Sequence, residues 1–281
     1  MKSHYVKRGR VGNVCETKVG NSTAHCVLEG ERYLPKTRQA GFCLRGSATP
    51  IYCLPFRVQM VEAACSAVSR GLQMILIGQF DSPFVRRVAI ALQLYDLKYE
   101  HRPWSTFGDA ELIAPYNPLR RVPILVLSET ESLIESAAIL DYLDELAGPG
   151  KALIAESGPA RRQALKICAL ATGLNDKAVS LFYERALHEK TSPAWIQRCE
   201  TQILGVLNVL DADRRTRTTP YWFGDAIGHA DIAVACATRY LGEAHPGLVS
   251  QGGWPALAAH AHRCEALEAF KAIFQAFLPP A

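Results

Sequence analysis

From residue 74 onward the chain alternates short apolar runs with helical stripes; before that point neither a period of 2 nor one of 3.6 is sustained. "MILIGQ" (74–79) reads as a short buried strand. Val85, Val88, Ala89, Leu92 and Tyr95 then recur at helical spacing through "PFVRRVAIALQLYD". "KYEHRPW" (98–104) alternates as a second strand, and "PILVL" (123–127) and "SLIE" (132–135) are two more, parted by a polar turn. "ESAAILDYLDELA" (135–147) sets Ala138, Tyr142 and Leu146 on one helical stripe.

"GPGKALIAESGP" (148–159) has the composition of a connection, and strand signals stop there. Four helices are predicted beyond it: Arg161–Glu189, Pro193–Arg214, His229–His245 and Trp254–Phe277, the last broken near Leu267. The pattern therefore predicts a small α/β part over 74–150 and an all-helical part over 158–281. Residues 1–73 are expected to be a disordered leader or the product of a misassigned start, with the working protein beginning at Met60 or Met74.

Charge sharpens that division. The overall +4 conceals 11 Lys and Arg against 4 Glu in residues 1–73, a net of +7, so the remaining body carries −3. No run approaches the ~18 apolar residues of a membrane span, so no membrane crossing is expected. The basic front end lacks interleaved aromatic residues to stack on bases, which argues against nucleic acid as a partner. Nine cysteines form no Cys-x-x-Cys pair, so a zinc knuckle or dithiol motif is not indicated. The four later ones fall in helical patterns, as core residues of a protein from a reducing, cytoplasmic compartment would. His101, His188 and His229 lack metal-ligand spacing and read as surface or boundary residues; no metal is expected.

Three junctions carry candidate chemistry. Ser82 precedes Pro83 where a helix N-cap and its first residue belong, and capping alone would account for it. The same geometry favours an anion, because N–H groups and the positive helix end would ease ionisation of a thiol held there. In "YNPLRRVPIL" (116–125), Val122-Pro123 leads directly into a strand. A trans proline opening an edge strand and a cis bond presenting the Val122 backbone to a ligand both fit. At Glu135-Ser136, Ser136 is a helix cap or a receiver for a ligand carboxylate, and Glu135 a partner for an ammonium.

"SPFVRRV", "NPLRRVP" and "ESAAILDYL", in that order, resemble the glutathione-binding domain of the soluble glutathione S-transferases, most nearly serine-type bacterial and plant members. The likeness covers Met74 to about Phe277 and implies a thioredoxin-like N-terminal domain followed by an all-helical C-terminal one. It implies that Ser82 points at the glutathione sulfur, with Phe84 in the binding set. Val122, before a cis Pro123, would pair with the cysteinyl unit; Glu135 and Ser136 would hold the γ-glutamyl end. Arg121 stands where a lysine often meets the glycine end, and its fork suits a carboxylate. Phe182, Tyr183 and Arg185, on the first long helix of the second domain, are candidates for the electrophile pocket. Glutathione would then be a co-substrate, without further cofactor, in a homodimeric detoxification enzyme; a glutathione carrier of the same fold is the alternative. Members with Cys at the position of Ser82 perform redox chemistry, which Ser82 disfavours. In "AIGHADIAVA", Gly228 replaces the usual capping Ser or Thr, leaving Asp231 to make half of the cap.

Overall fold

The structure, a computed structural model, describes residues 13–19, 22–28, 74–250 and 253–279. Strand β1 (Asn13–Val19) pairs antiparallel with β2 (Ser22–Leu28), setting Asn13 opposite Leu28 and Val19 opposite Ser22. No sustained period predicts an element here. The rest of the expectation for residues 1–73 lies outside the described residues.

The body is built on a four-stranded sheet of order β4-β3-β5-β6. β3 (Met74–Ile77) runs parallel to β4 (Tyr99–Arg102) and antiparallel to β5 (Ile124–Val126), which pairs antiparallel with β6 (Ser132–Ile134). Leu76, Ile77, Ile124 and Leu125 are fully buried in the two central strands. That burial explains why both read as continuous apolar runs: side chains on both faces are covered.

Helix α1 (Pro83–Leu94) follows β3, and every residue from Val85 to Leu92 is buried, Arg86 and Arg87 among them. A helix buried on all sides lies between two layers. One layer is the sheet, on which α3 (Ser136–Ala147) packs beside α1; the other is α6 (His229–Ala244), with Val88, Leu125, Ile139, Ile232 and Cys236 sharing one core. The short α2 (Ala110–Ile113), absent from the periodic pattern, lies in the long connection to β5.

The helical part has a second core among α4 (Gly158–Leu187), α5 (Pro193–Arg215) and α6, with Leu174, Leu181, Ile203, Trp222 and Val234 at its centre. α6 contributes to both cores, which ties the α/β and helical parts together. The chain then forms α7 (Pro246–Val249), α8 (Pro255–Glu265) and α9 (Glu268–Ala272). The break expected at Leu267 is present, with Leu267 extended at φ −72° and ψ 142°. The helix expected to reach Phe277 ends earlier, and residues 274–279 run as a non-helical tail. Cys168, Cys199, Cys236 and Cys264 are free and buried, and burial pushes the Cys236 thiol up to about 11. They are core residues.

Candidate functional site

The turn after β3 passes through a space that excludes side chains. Gly78 has φ +127°, and a Cβ there would lie 2.6 Å from Val85 Cγ2 and 2.8 Å from Val122 Cβ. Only glycine accepts both the backbone conformation and the crowding. His101 braces this turn, with Nε2 2.8 Å from the Gly78 carbonyl and its ring stacked on Phe80 at 3.8 Å. The turn delivers Ser82 to the N-cap of α1, with Pro83 in the first turn.

Ser82 Oγ accepts a hydrogen bond from Val85 N at 3.4 Å, a long bond that engages one lone pair. A hydroxyl keeps its proton while accepting, so the cap leaves Ser82 free to donate to a second group. The side chain is half-buried and, with Phe84, lines a cleft of about 510 Å³. The positive end of the twelve-residue α1 faces the same space.

Val122 lines the cleft beside Ser82, and the Val122-Pro123 bond is cis. Among the described residues, the Val122 backbone joins neither the sheet ladder nor a turn hydrogen bond, so its N–H and C=O remain for a ligand. Asn117, which sequence reading passed over, organises this loop. It is 1% exposed, donates Nδ2 to the Arg121 carbonyl at 2.9 Å and accepts from Leu119 N at 3.1 Å.

Arg121 also lines the cleft and connects it to the next segment. Its guanidinium lies 3.8 Å from Glu135 and 3.6 Å from Asp176, two exposed and loose pairs that leave it able to swing to a carboxylate. Glu135 has φ +68°, an uncommon conformation for a non-glycine residue that marks a constrained turn. Ser136, the first residue of α3, is buried, and its Oγ accepts from Arg87 Nη1 at 3.3 Å.

The opposite wall is aromatic. Phe182 and Tyr183 of α4 line the cleft. Phe107 meets Tyr183 edge-on at 5.3 Å, and Phe277 meets Phe182 at 5.0 Å and Tyr240 at 5.5 Å. Burial pushes the Tyr183 and Tyr240 hydroxyls above their ordinary range, so both stay protonated. Burial likewise raises the Asp81 carboxyl at the cleft edge.

Two expectations are corrected. Arg185 does not reach this cleft; it pairs with Glu200 at 2.6 Å and lines a separate hollow between α4, α5 and α7. Phe182, three residues earlier on the same helix face, borders both spaces, but Arg185 reaches to Glu200 of α5. His229 is no boundary residue but 4% exposed, with Nε2 2.9 Å from Asp144, a carboxylate 85 positions away. Tyr95 and the Leu153 N–H bind the same carboxylate. Among the described residues no group of three His, Cys, Asp or Glu has metal-binding geometry.

Both halves of the body match models of one family. Residues 76–151 match "Glutathione S-transferase, N-terminal domain" and residues 193–263 match "Glutathione S-transferase, C-terminal domain". The chain is 31% identical over 172 residues to the uncharacterized GST-like protein YibF of Escherichia coli, covering 60% of this chain and 82% of that one. It is 29% identical over 178 residues to a probable glutathione S-transferase of Nicotiana tabacum, covering 59% and 70%. A glutathione S-transferase of Methylobacillus flagellatus solved with GSH bound superposes with a TM-score of 0.66 at 28% identity, over 72% of this chain and 98% of that one. One from Methylobacterium radiotolerans, in complex with glutathione sulfonate, gives 0.67 at 28%, over 74% and 98%. With the sheet order, the helical part and both models in agreement, the chain belongs to the glutathione S-transferase family.

Proposed function

We propose that the protein is a serine-type glutathione transferase that conjugates the glutathione thiolate to a small apolar electrophile. The observation that carries this reading is the junction at Ser82: a hydroxyl with a free proton and a helix N-terminus face one cleft, opposite an aromatic wall. GSH bound in one of these structural neighbours and glutathione sulfonate in the other support the ligand.

In this reading the Val122 N–H and C=O pair with the cysteinyl unit, which sets the sulfur beside Ser82. Arg121 meets the glycine carboxylate, and Ser136 with Glu135 receives the γ-glutamyl end. The Ser82 hydroxyl and the α1 dipole stabilise the thiolate, lowering the thiol pKa toward neutrality. The sulfur forms the new bond to the electrophilic carbon; a displaced leaving group departs, or addition leaves charge that takes up a proton. The aromatic wall, Phe107, Phe182, Tyr183, Tyr240 and Phe277, shelters an apolar partner and excludes water. Glutathione is a co-substrate here, and no further cofactor is invoked. A cytoplasmic homodimer with a detoxifying role is the setting we assign to it.

Assaying the full chain against a panel of aryl halides, epoxides and activated alkenes, with and without Ser82→Ala, tests the reading. Turnover that collapses in the variant supports it. Tight glutathione binding with no turnover on any electrophile would assign the protein to the carriers instead.

A further inference from the structure

Helix α1 buries two consecutive arginines, and they are treated differently. Arg86 has a full complement of acceptors: Glu265 through two bonds of 2.5 and 2.7 Å, and the carbonyls of Phe270 and Ile273. Arg87, equally buried at 3% exposure, has no carboxylate within ion-pair distance among the described residues. Among the described residues its single side-chain hydrogen bond runs from Nη1 to Ser136 Oγ, and its Nε is buried without a partner. The nearby Asp144 is already engaged by Tyr95, Leu153 and His229. Arg87 lines a small hollow with the Cys168 thiol, the His229 ring and Asp141, whose carboxylate is taken by Arg161 at 2.8 Å.

A buried guanidinium without a counter-ion is costly, so a fold that keeps one has a partner for it in some working state. The hydroxyl it touches identifies that partner. Ser136 opens α3, a twelve-residue helix whose N-terminus favours an anion. By donating to Ser136 Oγ, Arg87 occupies a lone pair and leaves the hydroxyl proton to point away, toward whatever sits at the helix end.

We propose that Arg87 is a positioning residue for the γ-glutamyl end of glutathione: it orients Ser136 as a donor and supplies the positive charge that the ligand's α-carboxylate completes. The inference rests on the reading above, in which Ser136 receives that end. It separates two roles within one helix: the N-terminus of α1 acts on the sulfur and its buried second turn acts on the opposite end of the tripeptide. Arg86, neutralised by Glu265, holds the C-terminal helices.

The test is a cycle between protein and ligand. Binding of glutathione, and of an analogue whose γ-glutamyl unit is replaced by 4-aminobutyryl and so lacks the α-carboxylate, is measured by calorimetry on the wild type and Arg87→Met. Glutathione should bind the variant at least about tenfold more weakly, the loss expected for a charge-assisted contact. The analogue should bind both proteins equally. KM for glutathione should rise while kcat at saturation holds. The unliganded melting temperature should stay level or rise, since an apolar side chain of similar length replaces an unpaired buried charge. Should Arg87→Met fail to fold, Arg87→Lys serves the same cycle: charge is kept, reach is lost, and a weaker loss confined to glutathione is expected. Equal losses for both ligands, or a lower unliganded melting temperature with unchanged affinity, would make Arg87 a structural residue and overturn the proposal. A wild type that binds both ligands equally well would instead overturn the assignment of the γ-glutamyl end to Ser136.

Discussion

The backbone N–H of Leu278 meets the Asp81 carboxylate at 3.2 Å, joining the tail to the residue that precedes Ser82 across 197 positions of sequence. Three more bonds fix the same tail: Phe80 N to Gln275 Oε1 at 3.0 Å, Phe277 N to Glu243 Oε2 at 2.9 Å, and Arg239 Nη2 to the Gln275 carbonyl at 2.9 Å. The tail is therefore a wall of the cleft, and Phe277 is its inward face.

Phe277→Ala should consequently weaken the electrophile without touching glutathione. Edge-to-face pairs contribute about 0.5–1.5 kcal/mol, so KM for an aromatic electrophile should rise roughly two- to tenfold. KM for glutathione should stay level. Steady-state kinetics with each substrate varied in turn checks this, and equal shifts in both would remove the tail from the electrophile side.

Gly228 offers a prediction that reverses the sequence argument. Asp231 Oδ2 accepts from Gly228 N at 2.8 Å, the surviving half of the cap, and Ser at 228 would appear to complete it. A Cβ there would lie 2.8 Å from the Leu153 carbonyl oxygen, which already accepts from His229 N at 2.9 Å. Gly228→Ser should therefore destabilise by about 1–3 kcal/mol through overpacking, where capping alone would add about 1. Chemical denaturation decides between the two signs.

The buried histidines predict acid lability. Burial, with Arg214 and Arg263 adding repulsion, lowers His260 to about 4, and burial also lowers His229 and His245. Asp231 at 3.4 Å and the Cys264 thiol are the other groups facing His260. Each folded pKa lies below the unfolded value near 6.5, so the unfolded state binds protons first as pH falls. Stability should be full above pH 7 and decline from about 6.5 toward 4. His260→Gln should remove up to about 1.4 kcal/mol per pH unit from that slope. Urea melts across this range check it, and an unchanged slope would show that His260 takes no part.

What was legible in the sequence follows from what is local. The strands at Met74 and Ile124, the long helices and the Leu267 break are written in periodicity and in Ser, Pro and Gly punctuation. The Ser82 cap was readable for the same reason, whereas the local sequence left cis and trans open at Val122-Pro123, and the family resemblance pointed to the cis bond that the structure has. The aromatic wall was not, because Phe107, Tyr240 and Phe277 come from a loop, a helix and the tail, and only tertiary packing brings them together. Arg185 was misjudged because helical spacing alone could not say which way that turn of α4 would face. His229 was misjudged because its partner Asp144 lies on another helix.

The central claim, that Ser82 stabilises a thiolate and does not merely cap α1, is tested most directly by titrating the thiolate absorbance of bound glutathione in the wild type and Ser82→Ala. The apparent thiol pKa should be higher in the variant, with turnover near neutral pH reduced roughly ten- to a hundredfold, as loss of a hydrogen bond to a charged sulfur worth ~1.5–3 kcal/mol requires. Glutathione affinity should change little. An unchanged thiol pKa, accompanied by a loss of about 1 kcal/mol in stability, would contradict the claim and leave Ser82 a helix cap.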